Sequence, residues 1–235
     1  MKGKGLGIRG SGFGFLLGLG CLTVFSLTAT AAKGGESVRE NLRITVRVHD
    51  FAQIPAETLS QSEMIAARVF KEVGVHLDWL DCNPHAAEWA QSPDCRSSSP
   101  ALLSLRILPR LAPEARTLLG EDALGFAVAL AKPDHGYLAS VYNDRVCQRA
   151  EMLGHHAWQI LGFAIAHEIG HLLLGSNSHS RLGLMRGKWN KEDMQSGARG
   201  LLFFQPEQAE VIRTGVRARM QVAEAARQPQ VATLE

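Results

Sequence analysis

An α+β fold is predicted by the order of strand and helix patterns along the chain. Residues 42–51 alternate between apolar and polar side chains, a period of two that is typical of a half-buried strand. Residues 56–73 carry apolar side chains at helical spacing and are followed by Gly74, a residue type that commonly ends helices. Because further strands and two more helical patterns follow, we expect one α+β unit with a small C-terminal helical portion.

The later elements are predicted from the same two periods. An almost wholly apolar segment, residues 158–174, predicts a long buried helix, and Pro206–Arg227 predicts an amphipathic helix that begins at its proline. The remaining predicted strands are residues 75–80, 103–108, 124–130 and 137–146.

Composition excludes several classes of protein. The chain has 235 residues, of which 46% are apolar and 20% charged, which excludes a wholly disordered chain, a collagen-like repeat and a multi-span membrane protein. The formal net charge is +2, but the first 32 residues hold three basic residues and no acid, so the remainder carries about −1. Since the sequence shows no basic patch for phosphate, we expect no nucleic-acid partner.

The first 31 residues are predicted to be a signal peptide. A basic, glycine-rich start precedes an apolar run at residues 13–27, and Ala29 and Ala31 are the small residues ahead of a cleavage point before Ala32. An uncleaved anchor is the alternative, but the apolar run is short for a membrane span and contains several glycines. We therefore expect an exported protein, secreted or periplasmic, with no stable membrane span after cleavage.

Export permits disulfide bonds, and three cysteines follow the predicted cleavage point. Cys82 and Cys95 flank a loop rich in Pro, Ser and Asn, so a bridge that closes this loop is the simplest interpretation. Cys147 is then left over, and three pairings remain open. No Cys-x-x-Cys pair is present, so the cysteines do not predict a zinc site.

A histidine pair within the predicted apolar helix indicates metal chemistry. The sequence His167-Glu168-Ile169-Gly170-His171 places two histidines four residues apart, on one face of a helix, where both can reach the same ion. Glu168 is then beside the ion, where it can accept a proton from a bound water. Buried polar groups are costly without partners, and a metal would provide one. This helix therefore predicts a zinc site with Glu168 as general base.

A catalytic zinc site needs a third protein ligand. Gly175 can end the helix with a positive φ, after which the chain turns and His179 can return to the metal. Glu192 on a later helix is the alternative third ligand. We predict His167, His171 and His179 as the zinc ligands.

Residues 167–185 resemble the metzincins, a clan of zinc endopeptidases with the signature His-Glu-x-x-His-x-x-Gly-x-x-His followed by a methionine turn. Met185 lies 14 residues after His171, as in the matrixin-like members of the clan. The chain departs from the signature in two spacings, because Gly175 lies four residues after His171 rather than three, and His179 lies eight after it rather than six. No tyrosine follows Met185, so a transition-state tyrosine of the kind some metzincins use is absent there.

The resemblance implies a mixed sheet packed on two helices, with an edge strand that binds extended peptide by adding it to the sheet. Residues 137–142 are the candidate edge strand. Met185 would form an apolar floor beneath the imidazoles. Three further residues are expected to wall a specificity pocket: Leu184, Arg186 and Trp189.

These features predict an exported zinc endopeptidase whose zincin-like domain spans residues 32–228, with a flexible tail at 229–235. Zinc-activated water would attack a peptide carbonyl with Glu168 as general base. A peptide or protein substrate is the expected partner, and the sequence does not indicate an oligomeric state. The alternative is a catalytically inactive zincin-like metal-binding module that binds peptide or a partner protein; an esterase or amidase would differ only in substrate.

Overall fold

A computed structural model describes most of the chain from residue 41 onward. The described residues are 41–83, 85, 93–97, 99–112, 119–120, 122–128, 137–175 and 178–227. The predicted signal peptide and the predicted tail therefore lie outside them.

The described residues form five strands and six helices, and the predicted α+β class is confirmed. The strands are β1 (Leu42–Asp50), β2 (Val75–Asp81), β3 (Leu102–Leu108), β4 (Gly125–Val128) and β5 (Leu138–Tyr142). The helices are α1 (Ala56–Glu72), α2 (Pro93–Arg96), α3 (Asn143–Leu153), α4 (Ala157–Leu174), α5 (Lys191–Ala198) and α6 (Pro206–Arg227).

The strands form one mixed sheet in the order β2-β1-β3-β5-β4. Neighbouring strands are parallel except β4, which pairs antiparallel to β5 with Gly125 opposite Val141. The expectation that residues 137–142 form the edge strand is wrong. Strand β4 pairs with the side of β5 that faces away from β3, so β5 lies inside the sheet and the two edge strands are β4 and β2.

The core lies between the sheet and two helices. Alternate residues of β1 are buried, as its period of two predicts. Helix α4 packs closely on α1, since a Cβ atom at Gly162 would lie 2.7 Å from Cβ of Ile65 and from the carbonyl oxygen of Ser62. The hydroxyl of Ser62 also donates to the carbonyl oxygen of Trp158, at 3.1 Å. A glycine at this crossing therefore sets the distance between the two helices.

Among the described helices, α4 alone is long and apolar enough to cross a membrane by length and composition. However, 72% of its residues are buried inside the protein. The core helix of a folded domain can be as long and as apolar as a membrane span. Burial therefore accounts for the apolar character of α4 on nearly all faces.

Three helices were not expected from the hydrophobic pattern, namely α2 in the loop between Cys82 and Cys95, α3 and α5. The predicted strand 137–146 ends at Tyr142, where α3 begins; Asp144 in its first turn favours a helix N-terminus. Helix α5 has a reciprocal cap, because the backbone N–H of Asp193 donates to Asn190 Oδ1 and that of Asn190 donates to Asp193 Oδ2, both at 2.9 Å. Helix α5 is short enough for its cap to decide what periodicity alone does not, whereas α3 has no side-chain cap at its N-terminus.

The predicted disulfide between Cys82 and Cys95 is confirmed, and Cys147 is free and half-buried. The bridge closes a loop at the end of β2. The guanidinium of Arg47 donates to the carbonyl oxygens of Cys95 and Ser97, at 3.2 and 2.7 Å, and so holds the far end of this loop on the sheet.

Candidate metal centre

Three histidine side chains converge where α4 ends. Nε2 of His167 lies 3.0 Å from Nε2 of His171, and Nε2 of His179 lies 3.3 and 3.2 Å from these two atoms. The three nitrogens therefore surround one point, and the group could hold a metal ion. All three histidines were predicted from the sequence, and the structure brings them together.

The carbonyl oxygen of Leu184 fixes the tautomer of His167. It lies 2.9 Å from Nδ1 of His167, and a carbonyl can only accept, so Nδ1 carries the proton and Nε2 presents a lone pair. Nδ1 of His171 lies 2.8 Å from Oγ of Ser178. Both imidazoles of α4 are thus oriented through Nδ1 and direct Nε2 toward the common point. This is the arrangement by which outer hydrogen bonds orient metal-binding histidines.

A turn after α4 returns the third histidine to the helix. Gly175 has φ of 87°, so the predicted positive φ is confirmed and a side chain there would be strained. The carbonyl oxygen of Ser178 accepts from Nε2 of Gln208 on α6, at 3.1 Å. Gly187 leaves room for the imidazole of His179, because a Cβ atom at Gly187 would lie 3.3 Å from its Nδ1. Helix α6 and the segment around residue 187 therefore support the turn from two sides.

Met185 is fully buried against the helix that carries the first two histidines. A Cβ atom at Gly170 would lie 2.8 Å from Sδ of Met185 and 2.8 Å from Cε1 of Phe204. Met185 therefore packs against the backbone of α4, at the residue before His171, and its expected role as a floor beneath the imidazoles stays a prediction.

Glu168 is buried beside the histidines, with only 5% of its surface exposed. Its Oε2 atom has no hydrogen-bond partner among the described residues. Burial raises the pKa of Glu168 to about 8. Without a cation nearby, a buried carboxyl group with this pKa holds its proton at pH 7, and a metal ion at the histidines would favour the ionised carboxylate. Buried polar atoms without partners concentrate at functional sites.

Burial also lowers the pKa of the two histidines of α4. The pKa of His167 falls to about 4 and that of His171 to about 3, and the neighbouring imidazole of His179 lowers both further. Both side chains are therefore neutral near pH 7. Neutral imidazole is the form that binds metal, so no proton has to leave before an ion binds.

The histidines and Glu168 line one cleft of about 520 Å³. The edge strand β4 forms one wall, and residues after Met185 form another. Further lining residues include Asp122, Gly125, Arg149, Arg186, Lys188 and Trp189.

Two of the three residues predicted to wall a specificity pocket line this cleft, namely Arg186 and Trp189. Leu184 is fully buried and is not among the lining residues. Its carbonyl oxygen instead accepts from Nε1 of Trp189, at 3.0 Å, as well as from His167. Glu192, the alternative third ligand, is exposed in the first turn of α5 and does not belong to the histidine group.

Several contributors to the site had little or no sequence signal. Ser178 precedes a predicted ligand, and that adjacency was the available signal for its contact with His171. Gly125, Asp122 and Arg149 come from segments far from the histidine motif, and only the sheet and helix packing bring them to the cleft.

No protein-family model and no curated protein matches this chain. The residues of the cleft are therefore the basis for a functional assignment.

Proposed function

We propose that this chain is an exported, zinc-dependent endopeptidase of metzincin-like type. The observation that carries the proposal is the convergence of three histidine Nε2 atoms next to the buried carboxyl group of Glu168, whose Oε2 has no partner among the described residues. Three histidines and a neighbouring glutamate are the donor set of a catalytic zinc site, with one position left for water.

The spacing of the nitrogens fits zinc. Four ligands about 2.0–2.1 Å from a tetrahedral zinc ion lie about 3.3–3.4 Å from one another. The separations here are 3.0, 3.2 and 3.3 Å. An all-nitrogen set of neutral imidazoles also suits zinc better than magnesium or calcium, which prefer oxygen ligands.

His167, His171 and His179 would hold the ion, and bound zinc would supply Lewis acidity and lower the pKa of a coordinated water to about 7. Glu168 would accept a proton as water attacks the carbonyl carbon of the peptide bond. It would then deliver that proton to the nitrogen of the leaving amine. Its burial keeps bulk water from competing for this proton.

Strand β4 would bind the substrate. It is an edge strand of the sheet, and among the described residues no strand pairs with the side of its backbone that faces away from β5, so that side could pair with an extended peptide. Its residues Gly125, Phe126 and Ala127 line the same cleft as Glu168. A peptide added to this edge would pass the histidine group. The disulfide between Cys82 and Cys95 is compatible with the proposed export.

The decisive experiment compares zinc content and cleavage of an unfolded protein substrate in the wild type and in two variants. Wild-type protein should bind one equivalent of zinc and cleave the substrate, and a chelator should abolish cleavage until zinc is restored. Glu168→Gln should retain zinc and lose most cleavage. Glu192→Gln, an exposed acid on α5, should match the wild type in both respects.

Three outcomes would contradict parts of this proposal. Cleavage that survives in Glu168→Gln would exclude Glu168 as the base. Zinc binding by wild-type protein without hydrolysis of any peptide would instead indicate a metal-binding module. Loss of zinc in Glu192→Gln would move the third ligand from His179 to Glu192.

A further inference from the structure

The cleft holds a group of charged side chains that the proposed hydrolysis does not use. Arg149, Arg186 and Lys188 line it together with the carboxylate of Asp122. They come from α3, from the segment after Met185 and from the segment before β4. Three cations from distant parts of the chain therefore line the same cleft in the folded protein.

The arginine at position 186 is already neutralised. Its Nη1 atom donates to Oδ2 of Asp193 at 2.9 Å, and that carboxylate is fixed in the cap of α5, with its side chain only 11% exposed. Arg186 is therefore committed to a structural ion pair and is not the cation that remains for a ligand.

The other two cations share one carboxylate among the described residues. Oδ1 of Asp122 accepts from Nη2 of Arg149 at 2.8 Å, and Oδ2 accepts from Nζ of Lys188 at 2.6 Å. The hydrogen bond from Lys188 is the main cause that lowers the pKa of Asp122, so the carboxylate stays ionised. Among the described residues, these two positive charges thus share the one carboxylate of Asp122, at a part of the cleft where the side chains of Asp122 and Lys188 are more than half exposed.

This pair of cations lies next to the metal centre. The ring of Trp189 packs edge-on against His167, with ring centroids 5.6 Å apart. The carbonyl oxygen of the same tryptophan accepts from Nη1 of Arg149 at 3.5 Å. Arg149 is only 8% exposed, and a buried guanidinium in a cleft has a strong requirement for anionic partners. Trp189 therefore contacts both His167, a predicted zinc ligand, and Arg149.

We propose that Arg149 and Lys188 bind a side-chain carboxylate of the substrate, so that the enzyme selects peptides with an acidic residue beside the scissile bond. The inference deepens the proposed function and rests on it. A carboxylate can accept charge-assisted hydrogen bonds from both cations, whereas the isosteric amide cannot neutralise them. Selection then follows from charge and not from size.

Asp122 allows a test in which the preference for acidic peptides should rise, whereas loss of Lys188 should lower it. Its carboxylate holds the same two cations that the substrate would use, so it competes with an incoming carboxylate. Asp122→Asn should therefore strengthen the preference for acidic peptides. A purely structural role for the three side chains predicts the reverse, because the variant would loosen the cleft.

The experiment uses matched peptides that carry Glu or Gln on either side of the scissile bond, and a third pair with a free or an amidated C-terminus. For wild-type protein, kcat/KM for the Glu peptide at one flanking position should exceed that for the Gln peptide at least about tenfold. Lys188→Gln should reduce this ratio several-fold, and Asp122→Asn should raise it. Lys71→Gln, which removes an exposed charge from α1 outside the cleft, should leave the ratio unchanged.

Binding of the same peptides to the Glu168→Gln protein separates this inference from the proposed function. Calorimetric affinity for the acidic peptide should exceed that for the neutral one, and the difference should shrink with Lys188→Gln in that background. Tighter binding of the acidic peptide, together with no cleavage by the wild-type protein, would contradict the endopeptidase proposal alone. Equal cleavage and equal binding of Glu, Gln, free-carboxylate and amidated peptides would overturn the carboxylate site and leave the endopeptidase intact. A preference confined to the free C-terminus would overturn the selection of acidic side chains and would indicate a carboxypeptidase in place of an endopeptidase.

Discussion

Gly125 at the start of β4 lies directly against the side chain of Glu168. A methyl group placed on Gly125 would lie 2.8 Å from Cγ and 2.9 Å from Cδ of Glu168, and it would also collide with the carbonyl oxygen of Ser140. The edge strand and the glutamate of α4 are therefore in contact only because residue 125 has no side chain. The proposed substrate-binding edge thus also sets the position of the proposed general base.

Gly125→Ala should displace Glu168 and spare the metal. The added methyl group has no space, so either the carboxylate or the strand must move. A shift of about 1 Å can cost about 100-fold in rate, and we expect a loss of that order in kcat with bound zinc retained. Metal analysis and peptide turnover on the same preparation measure both quantities.

Gly215→Ala is the matched control for this substitution. Residue 215 lies within α6, where the nearest atom to an added Cβ would be the carbonyl oxygen of Leu173 at 3.4 Å. Alanine favours a helix interior, so turnover and zinc content should match the wild type. If Gly125→Ala keeps full turnover, the close contact with Glu168 has no role in catalysis.

Ser178→Ala should weaken metal binding without removing a ligand. The hydroxyl of Ser178 contacts Nδ1 of His171 and helps to set the direction of its Nε2 atom. Loss of such an outer hydrogen bond typically costs about 10- to 100-fold in metal affinity. Competition with a zinc-sensitive chelating dye measures the change. Ser180→Ala, whose hydroxyl donates to the carbonyl oxygen of Leu182 on the same loop, should leave the affinity unchanged.

The fold could be predicted where long periodic segments decide it. The alternation of residues 42–51 predicts a strand, and the long apolar segment 158–174 predicts a helix. The structure has β1 and α4 at these positions. The position of a strand within the sheet depends on pairing with distant segments, which periodicity does not encode. Periodicity therefore does not show that β5 lies inside the sheet, between β3 and the edge strand β4.

The site divides in the same way. His167, Glu168 and His171 follow from one helical turn, because residues four apart share a face. His179 needed only the turn that Gly175 permits, with φ of 87°. Gly125, which lies against Glu168, comes from a distant segment, so no local pattern could indicate that contact. The contact depends on how the strands and helices pack.

Metal-free protein should lose stability as the pH falls from about 6.5 to about 4. Burial lowers the pKa of His167 in the folded state to about 4, below the ordinary value of 6.5, so the unfolded chain binds a proton first. The stability from this histidine is complete above pH 6.5 and is lost as the pH falls toward 4. In this window His167→Gln should reduce the slope of unfolding free energy by up to about 1.4 kcal/mol per pH unit.

The pH series is best measured by urea unfolding in a Glu168→Gln background. Burial raises the pKa of Glu168 from its ordinary 4.5 to about 8, so its contribution has the opposite sign and is lost as the pH rises from about 4.5 through 8, which overlaps the window of His167. His76→Gln, an exposed change on β2, provides the control and should retain the original slope. If His167→Gln has the same slope as the control, His167 does not titrate as described.

Removal of the disulfide should destabilise the domain. The bridge joins residues 13 apart, and a loop of this size restricts the unfolded chain by about 3 kcal/mol. We expect the double variant Cys82→Ala/Cys95→Ala to lose about this amount in urea unfolding of the metal-free protein. Cys147→Ala, which removes the free cysteine, should lose less than about 1 kcal/mol. Equal stability of the double variant and the wild type would show that the bridge contributes nothing to folding.

The central claim is that His167, His171 and His179 hold one divalent ion, and zinc stoichiometry together with X-ray absorption tests it most directly. Folded wild-type protein should contain one zinc per chain, coordinated by three imidazole nitrogens, and His179→Ala should lose one of them. Protein that is folded by circular dichroism yet stays empty throughout a zinc titration would contradict the account.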